Sequence, residues 1–440
     1  MLDKQNPITP IQEFFKTESS SGIVLMITSL LALVIANSPF AEVYFDLFQT
    51  YLTVGISSLT INKPLILWIN DGLMAIFFLL IGLEIKREVK FGELSDFRAA
   101  LMPIVAAFGG ALVPGLIFFS FTQGTEFSDG WAIAIATDIA FAIGILTLLG
   151  SKVPVWAKVF LTAVAVVDDL IAVIVIALFY TASINTTALI IAGICMVVLV
   201  AMNVLKINKV GLYVLIGIVL WVAFLKSGMH ATIAGVLLGL TIPARKTSTL
   251  KEVSDKIEKA SKLFKQSVLN EEKESRETAL NHVQDVVVES ESPLYRMEHA
   301  LHPWVAFGII PIFAFANAGV SLNPSLVTEA LASPLTWGII AGLFIGKQAG
   351  IFLAVNIMKW LGLSTFPKEK STQKIVYGLA CLSGVGFTMS LFIAGLSFTS
   401  VEYLEYAKMG IIIGSLLSGL LGYGLLRSAI KDLPDTNESS

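Results

Sequence analysis

Apolar segments about as long as a bilayer is thick recur along the whole chain. They lie at 21–36, 65–85, 99–121, 131–149, 156–180, 187–205, 210–226, 229–243, 301–320, 334–358, 374–398 and 406–427. Crossing the hydrocarbon layer takes roughly 20 helical residues. Inside lipid only helices or closed barrels satisfy every backbone polar group. The chain therefore reads as an all-α polytopic membrane protein of about twelve transmembrane helices. With 55% hydrophobic and 14% charged residues among 440, it is far from the ~25% charge of a soluble domain. The net charge of −3 decides little by itself. Cys195 and Cys381 both fall in apolar spans, as buried small residues do, and suggest no disulfide framework or metal motif. A cleavable signal peptide is not expected, because a polar stretch, MLDKQNPITPIQEFFKTESSSG, precedes a first apolar segment without a cleavage-site pattern.

An even number of crossings puts both termini on one side, and Lys and Arg choose the side. With the N-terminus inside, 26 of the 30 basic residues fall in inside segments, and only Lys63, Lys226 and Lys408 fall outside. Lys347 lies within a span. The positive-inside rule predicts cytoplasmic termini in a multi-pass membrane protein. Three regions follow. Residues 1–245 carry spans one to eight, 246–298 form a charged cytoplasmic loop of loose amphipathic or partly disordered character, and 299–440 carry spans nine to twelve. The outside loop 51–63, YLTVGISSLTINK, alternates apolar and polar residues around Ser57-Ser58. It fits a hairpin whose edge pairs with a second copy, or equally a capping loop.

Two spans are interrupted. Segment four carries Thr137-Asp138 at mid-depth, and segment eleven carries Ser383-Gly384-Val385-Gly386. Irregular backbone is tolerated in a membrane where it lines a cavity or is buried in protein. Paired broken helices point to a transport site between inverted repeats, here about 99–180 and 334–427.

The ionisable residues inside the spans carry the functional signal. Asp168 and Asp169 sit together in VFLTAVAVVDDLIAVIVIALFY (159–180). A charge at a span centre costs at least ~2.5–3.5 kcal/mol on insertion scales, so such residues mark ion or proton pathways. The two side chains point about 100° apart on a helix, so one can face an ion while the other faces a neighbouring helix. Lys347 in WGIIAGLFIGKQAGIFLAV needs a carboxylate partner, and Asp168 or Asp169 is the natural choice. It is either a salt-bridge staple or a proton carrier that switches partner.

Paired carboxylates beside polar backbone offer the oxygen ligands that small hard cations prefer. They can hold either protons or Na⁺ (and Li⁺). Competition for one site, combined with alternating access, gives antiport. If Na⁺ displaces one proton at Asp169 and breaks an Asp168–Lys347 pairing, two protons move per Na⁺ and the exchange is electrogenic.

Asp138 either neutralises two half-helix N-termini or ligates the ion. Asp71, in WINDGLMAIFF nearer the outer end of span two, takes either a structural capping or packing role or an ion-binding one, and the first suits that position better. Glu84, Arg87 and Glu88 share one helix face in IGLEIKREVK. They form either a solvated ion-pair cluster or a pH-sensing funnel that attracts cations. His230, in KSGMHATIAGV, is either a hydrogen-bonded packing residue or a pH-responsive one.

Several segments together resemble the NhaA family of bacterial Na⁺/H⁺ antiporters, itself a standing example of inverted-repeat architecture. They are LWINDGLMAIFFLLIGLEIKRE (67–88), ATDIAFAIGIL (136–146), LTAVAVVDDLIAVIVIALFY (161–180), SGMHATIAGVLLG (227–239), HPWVAFGIIPIFAFANAGVSL (302–322), GLFIGKQAGIF (342–352) and CLSGVGFTMSLFIAGLSF (381–398). The resemblance implies that Asp168 and Asp169 bind the ion and protons, and that Lys347 pairs with Asp168. It places Thr137 and Asp138 at the broken-helix crossing, and Glu84, Arg87, Glu88 and His230 in a pH-response region. The outside hairpin would be a homodimer contact. GKQAG around Lys347 and the long 246–298 loop depart from the family pattern.

No cofactor is expected beyond the transported Na⁺, Li⁺ and H⁺, and no nucleic-acid partner. An enzyme is not expected, since no nucleophile–base set or phosphate loop appears. A Na⁺-coupled symporter of a small organic anion would share the architecture. A channel would favour symmetric rings of like charge over one asymmetric Asp–Asp–Lys set.

Overall fold

The computed structural model describes residues 10–55, 60–181, 185–245, 291–363, 366 and 370–431, with scattered positions between 254 and 265. Most of the 246–298 loop and the Ser57-Ser58 turn lie outside the described residues. Among those described, ten helices are long and apolar enough to cross a membrane. They are Leu65–Phe91, Phe97–Thr122, Ser128–Thr147, Val155–Phe179, Thr186–Val204, Val210–Ser227, Pro293–Asn317, Pro334–Trp360, Ser371–Ser397 and Val401–Lys431, numbered here as spans two to seven and nine to twelve. The molecule is an all-α, multi-pass membrane protein.

Spans one and eight differ from the other ten. Span one is the helix Pro10–Ala36. Its Ser20–Ala36 portion turns through 110° into a short helix, Ala41–Gln49. Span eight, expected at 229–243, is only the ten-residue helix Thr232–Thr241. It follows a turn after span seven in which Gly228 takes φ 83°. Its exposed end carbonyls are satisfied from outside the helix, because Lys86 Nζ on span two donates to Leu240 O at 2.8 Å and also to Ile242 O. Span nine starts at Pro293, earlier than hydropathy suggested, with Ser292 capping Tyr295 N.

The strands Tyr51–Val54 (β1) and Ile61–Pro64 (β2) pair antiparallel, with Tyr51 opposite Pro64 and Val54 opposite Ile61. All four β1 residues are exposed. The hairpin is tied to span two by Trp68 Nε1 donating to Leu52 O at 3.0 Å and by a Lys63–Asp71 ion pair at 2.7 Å.

The spans divide into an enclosed set and a lipid-facing set. In span eleven 89% of the apolar window is buried, against 28% in span six. Spans four, five and ten are enclosed like eleven. Spans six and seven leave Ile190, Ile194, Val197, Leu215 and Ile218 exposed, as lipid contact requires. Spans three to five and ten to twelve repeat one pattern of whole helix, interrupted helix and whole helix.

Spans three and ten cross with backbone against backbone. A Cβ on Gly350 would lie 2.1 Å from Gly109 O, and one on Gly346 would lie 2.5 Å from Pro114 Cα. Only glycine permits this approach, and it lets the stem of Lys347 lie against Gly110.

Candidate ion-binding site

Span four is not one α-helix. A 3-10 segment, Ser128–Ile135, gives way to extended backbone at Ala136, and the α-helix resumes at Ile139–Thr147. Span eleven likewise stops at Leu382 and restarts at Phe387. The two breaks meet. Asp138 N donates to Val385 O at 2.7 Å, and Thr137 Oγ1 lies 2.8 Å from Ser383 O. Each break thus supplies partners for backbone groups that the other leaves free, which is how irregular chain survives at membrane depth.

Asp138 lies between two helix starts. Its Oδ1 accepts from Phe141 N at 2.9 Å, and its Oδ2 accepts from Thr388 N at 2.9 Å and Thr388 Oγ1 at 2.5 Å. One buried carboxylate therefore answers the positive ends of two half-helices at once.

Span five places Asp168 and Asp169 beside this crossing with unequal surroundings. Lys347 Nζ donates to Asp168 Oδ2, and both side chains are buried, at 0% and 1% exposure. Thr137 Oγ1 is 2.6 Å from the same oxygen. Its single proton can serve Asp168 or Ser383 O, not both. Asp168 Oδ1 is buried and has no hydrogen-bond partner. Asp169, one residue on, borders a cavity, and no cation pairs with it among the described residues. Two adjacent carboxylates thus differ in kind, one held by an ammonium and the other facing open space.

Lys347 owes its position to a local irregularity. The turn before it, Gly342–Gly346, is a π-turn. One extra residue in a turn rotates everything that follows relative to what precedes it. Gln348 Nε2 donates to Phe344 O, and Cys381 Sγ donates to Gln348 Oε1 at 3.0 Å. The lysine helix is thereby fastened to span eleven next to its break.

The cavity runs from Asp169, Thr137, Asp138 and Thr388 to a mouth formed by Glu84, Arg87 and His302. At that mouth Arg87 pairs with Glu88 at 3.0 Å and with Glu298 at 2.9 Å. His230 is not part of this group. Its Nε2 lies 2.5 Å from Tyr180 O, at the far end of span five. The short turn between spans seven and eight holds it at the opposite end of the bundle. Asp71 also lies away from the cavity, in the π-turn Ile69–Leu73, where it pairs with Lys63.

Glu298, His302, Thr388 and Gln348 were not singled out from the sequence. Glu298 and His302 stand four apart on the start of span nine, a spacing that shares a face. Thr388 had a signal as the hydroxyl residue opening the helix after Gly386. Among the described residues no three His, Cys, Asp or Glu side chains converge as a metal cluster.

A family model described as Na⁺/H⁺ antiporter 1 matches residues 12–426. The chain belongs to that family. It is 46% identical over 428 residues to a protein named Na⁺/H⁺ antiporter NhaA from Oleidesulfovibrio alaskensis, covering 96% of this chain and 95% of that one. To the NhaA of Rhodospirillum rubrum it is 46% identical over 427 residues, covering 96% and 98%. To the NhaA of Escherichia coli O1:K1 / APEC it is 44% identical over 425 residues, again covering 96% and 98%. The match spans both broken helices and every residue of the site, so the family's likeness extends to the whole membrane body.

Proposed function

We propose that this protein exchanges cytoplasmic Na⁺, and Li⁺, for external protons, with Asp168 and Asp169 as the site for which cation and protons compete. The observation that carries the reading is the asymmetry of the pair. Asp169 borders the cavity, whereas Asp168 is held by Lys347 and keeps one oxygen without a partner. A Na⁺ arriving at Asp169 displaces its proton and draws the free Asp168 Oδ1 into its shell. Asp168 then gives up Lys347, and the lysine's charge state is free to change. Two protons move against one Na⁺, so the exchange carries charge.

The paired breaks of spans four and eleven supply a rigid crossing at which the two repeats meet, and alternating access is movement of one bundle against the other around it. The Lys and Arg distribution supports cytoplasmic termini in the inner membrane, with Glu84, Arg87, Glu88, Glu298 and His302 at the cytoplasmic mouth. Charge at that mouth concentrates cations and makes entry sensitive to pH. The exposed edge of the outside hairpin supports a homodimer built by strand pairing.

The test is Na⁺- and Li⁺-induced collapse of ΔpH in everted membrane vesicles between about pH 6 and 9, the range in which a physiological exchanger operates. The protein should dissipate ΔpH on addition of either cation, and Asp169→Asn should not. If Asp168→Asn and Asp169→Asn both exchange like the unmodified protein, the site is elsewhere.

A further inference from the structure

Between the charged mouth and Asp169 the cavity wall is largely apolar, with Leu80, Ile81, Val305 and Ile310 facing it. Thr162 interrupts that wall. It lies on span five seven residues before Asp169, hence on nearly the same helix face and about 10 Å nearer the mouth. Val166, between them on that face, also borders the cavity.

The hydroxyl of Thr162 is unusual within this protein. A threonine in a helix ordinarily donates to the carbonyl four residues back. Thr28, Thr122 and Thr147 do so here, at 2.7, 3.1 and 2.9 Å. Thr162 does not, and its Oγ1 is buried with no hydrogen-bond partner. An unsatisfied buried hydroxyl costs about 1–3 kcal/mol. A wall position that needed only bulk would be filled without that cost by valine, which has the same shape.

We propose that Thr162 Oγ1 is an oxygen ligand for the cation on its way to Asp169, touching the ion directly or through one retained water. Na⁺ binds oxygen and gives up water at a cost, so an apolar stretch is a barrier that a single oxygen midway lowers. Thr162 is then part of the entry path rather than of the proton-exchanging pair. It acts on how readily the cation is captured and not on the exchange step. The inference rests on the antiport reading of the Asp168–Asp169 site.

The experiment compares Thr162→Val, Thr162→Ser and Asp169→Asn in everted vesicles, measuring the Na⁺ concentration for half-maximal ΔpH collapse and the maximal rate, with ²²Na⁺ binding to the purified proteins. Thr162→Val should raise the half-maximal Na⁺ concentration about 5-fold, the equivalent of one neutral hydrogen-bond-strength contact, with the maximal rate kept. Equilibrium ²²Na⁺ binding should stay unchanged, because a group on the path alters the barrier to the site and not the depth of the site, and Thr162→Ser should restore the half-maximal concentration. Thr162→Ala, which adds no bulk, serves the same comparison if the valine variant does not insert. An unchanged half-maximal concentration in Thr162→Val beside an inactive Asp169→Asn overturns the proposal and leaves the antiport site standing. A fall in maximal rate with the half-maximal concentration unchanged assigns Thr162 to packing and overturns it too, and weakened equilibrium ²²Na⁺ binding places Thr162 in the site itself and overturns the entry-path role. Exchange that survives in Asp169→Asn refutes the site itself, and this inference with it.

Discussion

Replacing Asp138 by alanine takes one carboxylate from between two helix starts. The side chain is 2% exposed and accepts from Phe141 N, Thr388 N and Thr388 Oγ1. The two N–H groups belong to first turns and have no acceptor within their own helices. A hydrogen bond to a charged acceptor contributes ~1.5–3 kcal/mol. A negative charge at a helix N-terminus adds ~0.3–1 kcal/mol, and more where water is excluded. These contributions overlap, so the two backbone bonds set the scale. Asp138→Ala should destabilise the fold by about 3–6 kcal/mol. Asparagine keeps one acceptor oxygen but turns an NH₂ group toward the other donors, so Asp138→Asn should lose roughly half as much.

Thermal unfolding of the detergent-purified protein, with and without Na⁺, reads both effects. Melting temperature should fall in the order unmodified, Asn, Ala. Added Na⁺ should stabilise the Asn variant by the same increment as the unmodified protein, because a ligand raises stability only through the site it binds. An alanine variant that melts normally would refute the capping argument. An Asn variant of normal stability that no longer responds to Na⁺ would make Asp138 a cation ligand instead.

Four further outcomes follow from the same geometry. Lys347→Met leaves Asp168 buried without its cation and should cost about 3–5 kcal/mol. Adding Asp168→Asn should recover part of that loss in the same unfolding assay, and no recovery would mean the pair is not coupled. Gly350→Val drives a side chain into Gly109 O and should abolish monodisperse protein on size-exclusion chromatography, whereas a normal yield would show that spans three and ten can separate. The Lys63–Asp71 pair is partly exposed, at 30% and 21%, so Lys63→Ala should shift stability by less than ~1 kcal/mol. Deleting residues 51–63 should instead convert dimer to monomer by light scattering, and a dimer that persists would place the contact elsewhere.

Hydropathy is a local property, and the sequence alone carried what depends on it. The apolar runs located the ten helices long and apolar enough to cross among the described residues, and the interruptions at Thr137-Asp138 and Ser383–Gly386 were visible because polar and glycine residues stand out against an apolar background. The aspartates and Lys347 were conspicuous for the same reason, since each is costly in lipid.

What the residues do to one another was not local. Asp168 and its lysine are 179 positions apart, and Asp138 meets Thr388 across 250. No periodicity encodes such a meeting, which depends on glycine-mediated close packing of spans three and ten and on the crossing of two broken helices. The π-turn before Lys347 left no mark in composition, because π and α turns use the same residues and packing selects between them. The difference between the two aspartates was equally invisible, since adjacent identical residues acquire opposite surroundings only once a helix has chosen which face to bury. The sequence thus determined a membrane body with carboxylates and an ammonium at its centre. Tertiary packing decided which carboxylate is held and which faces the cavity, because burial and pairing are properties of contacts rather than of residues.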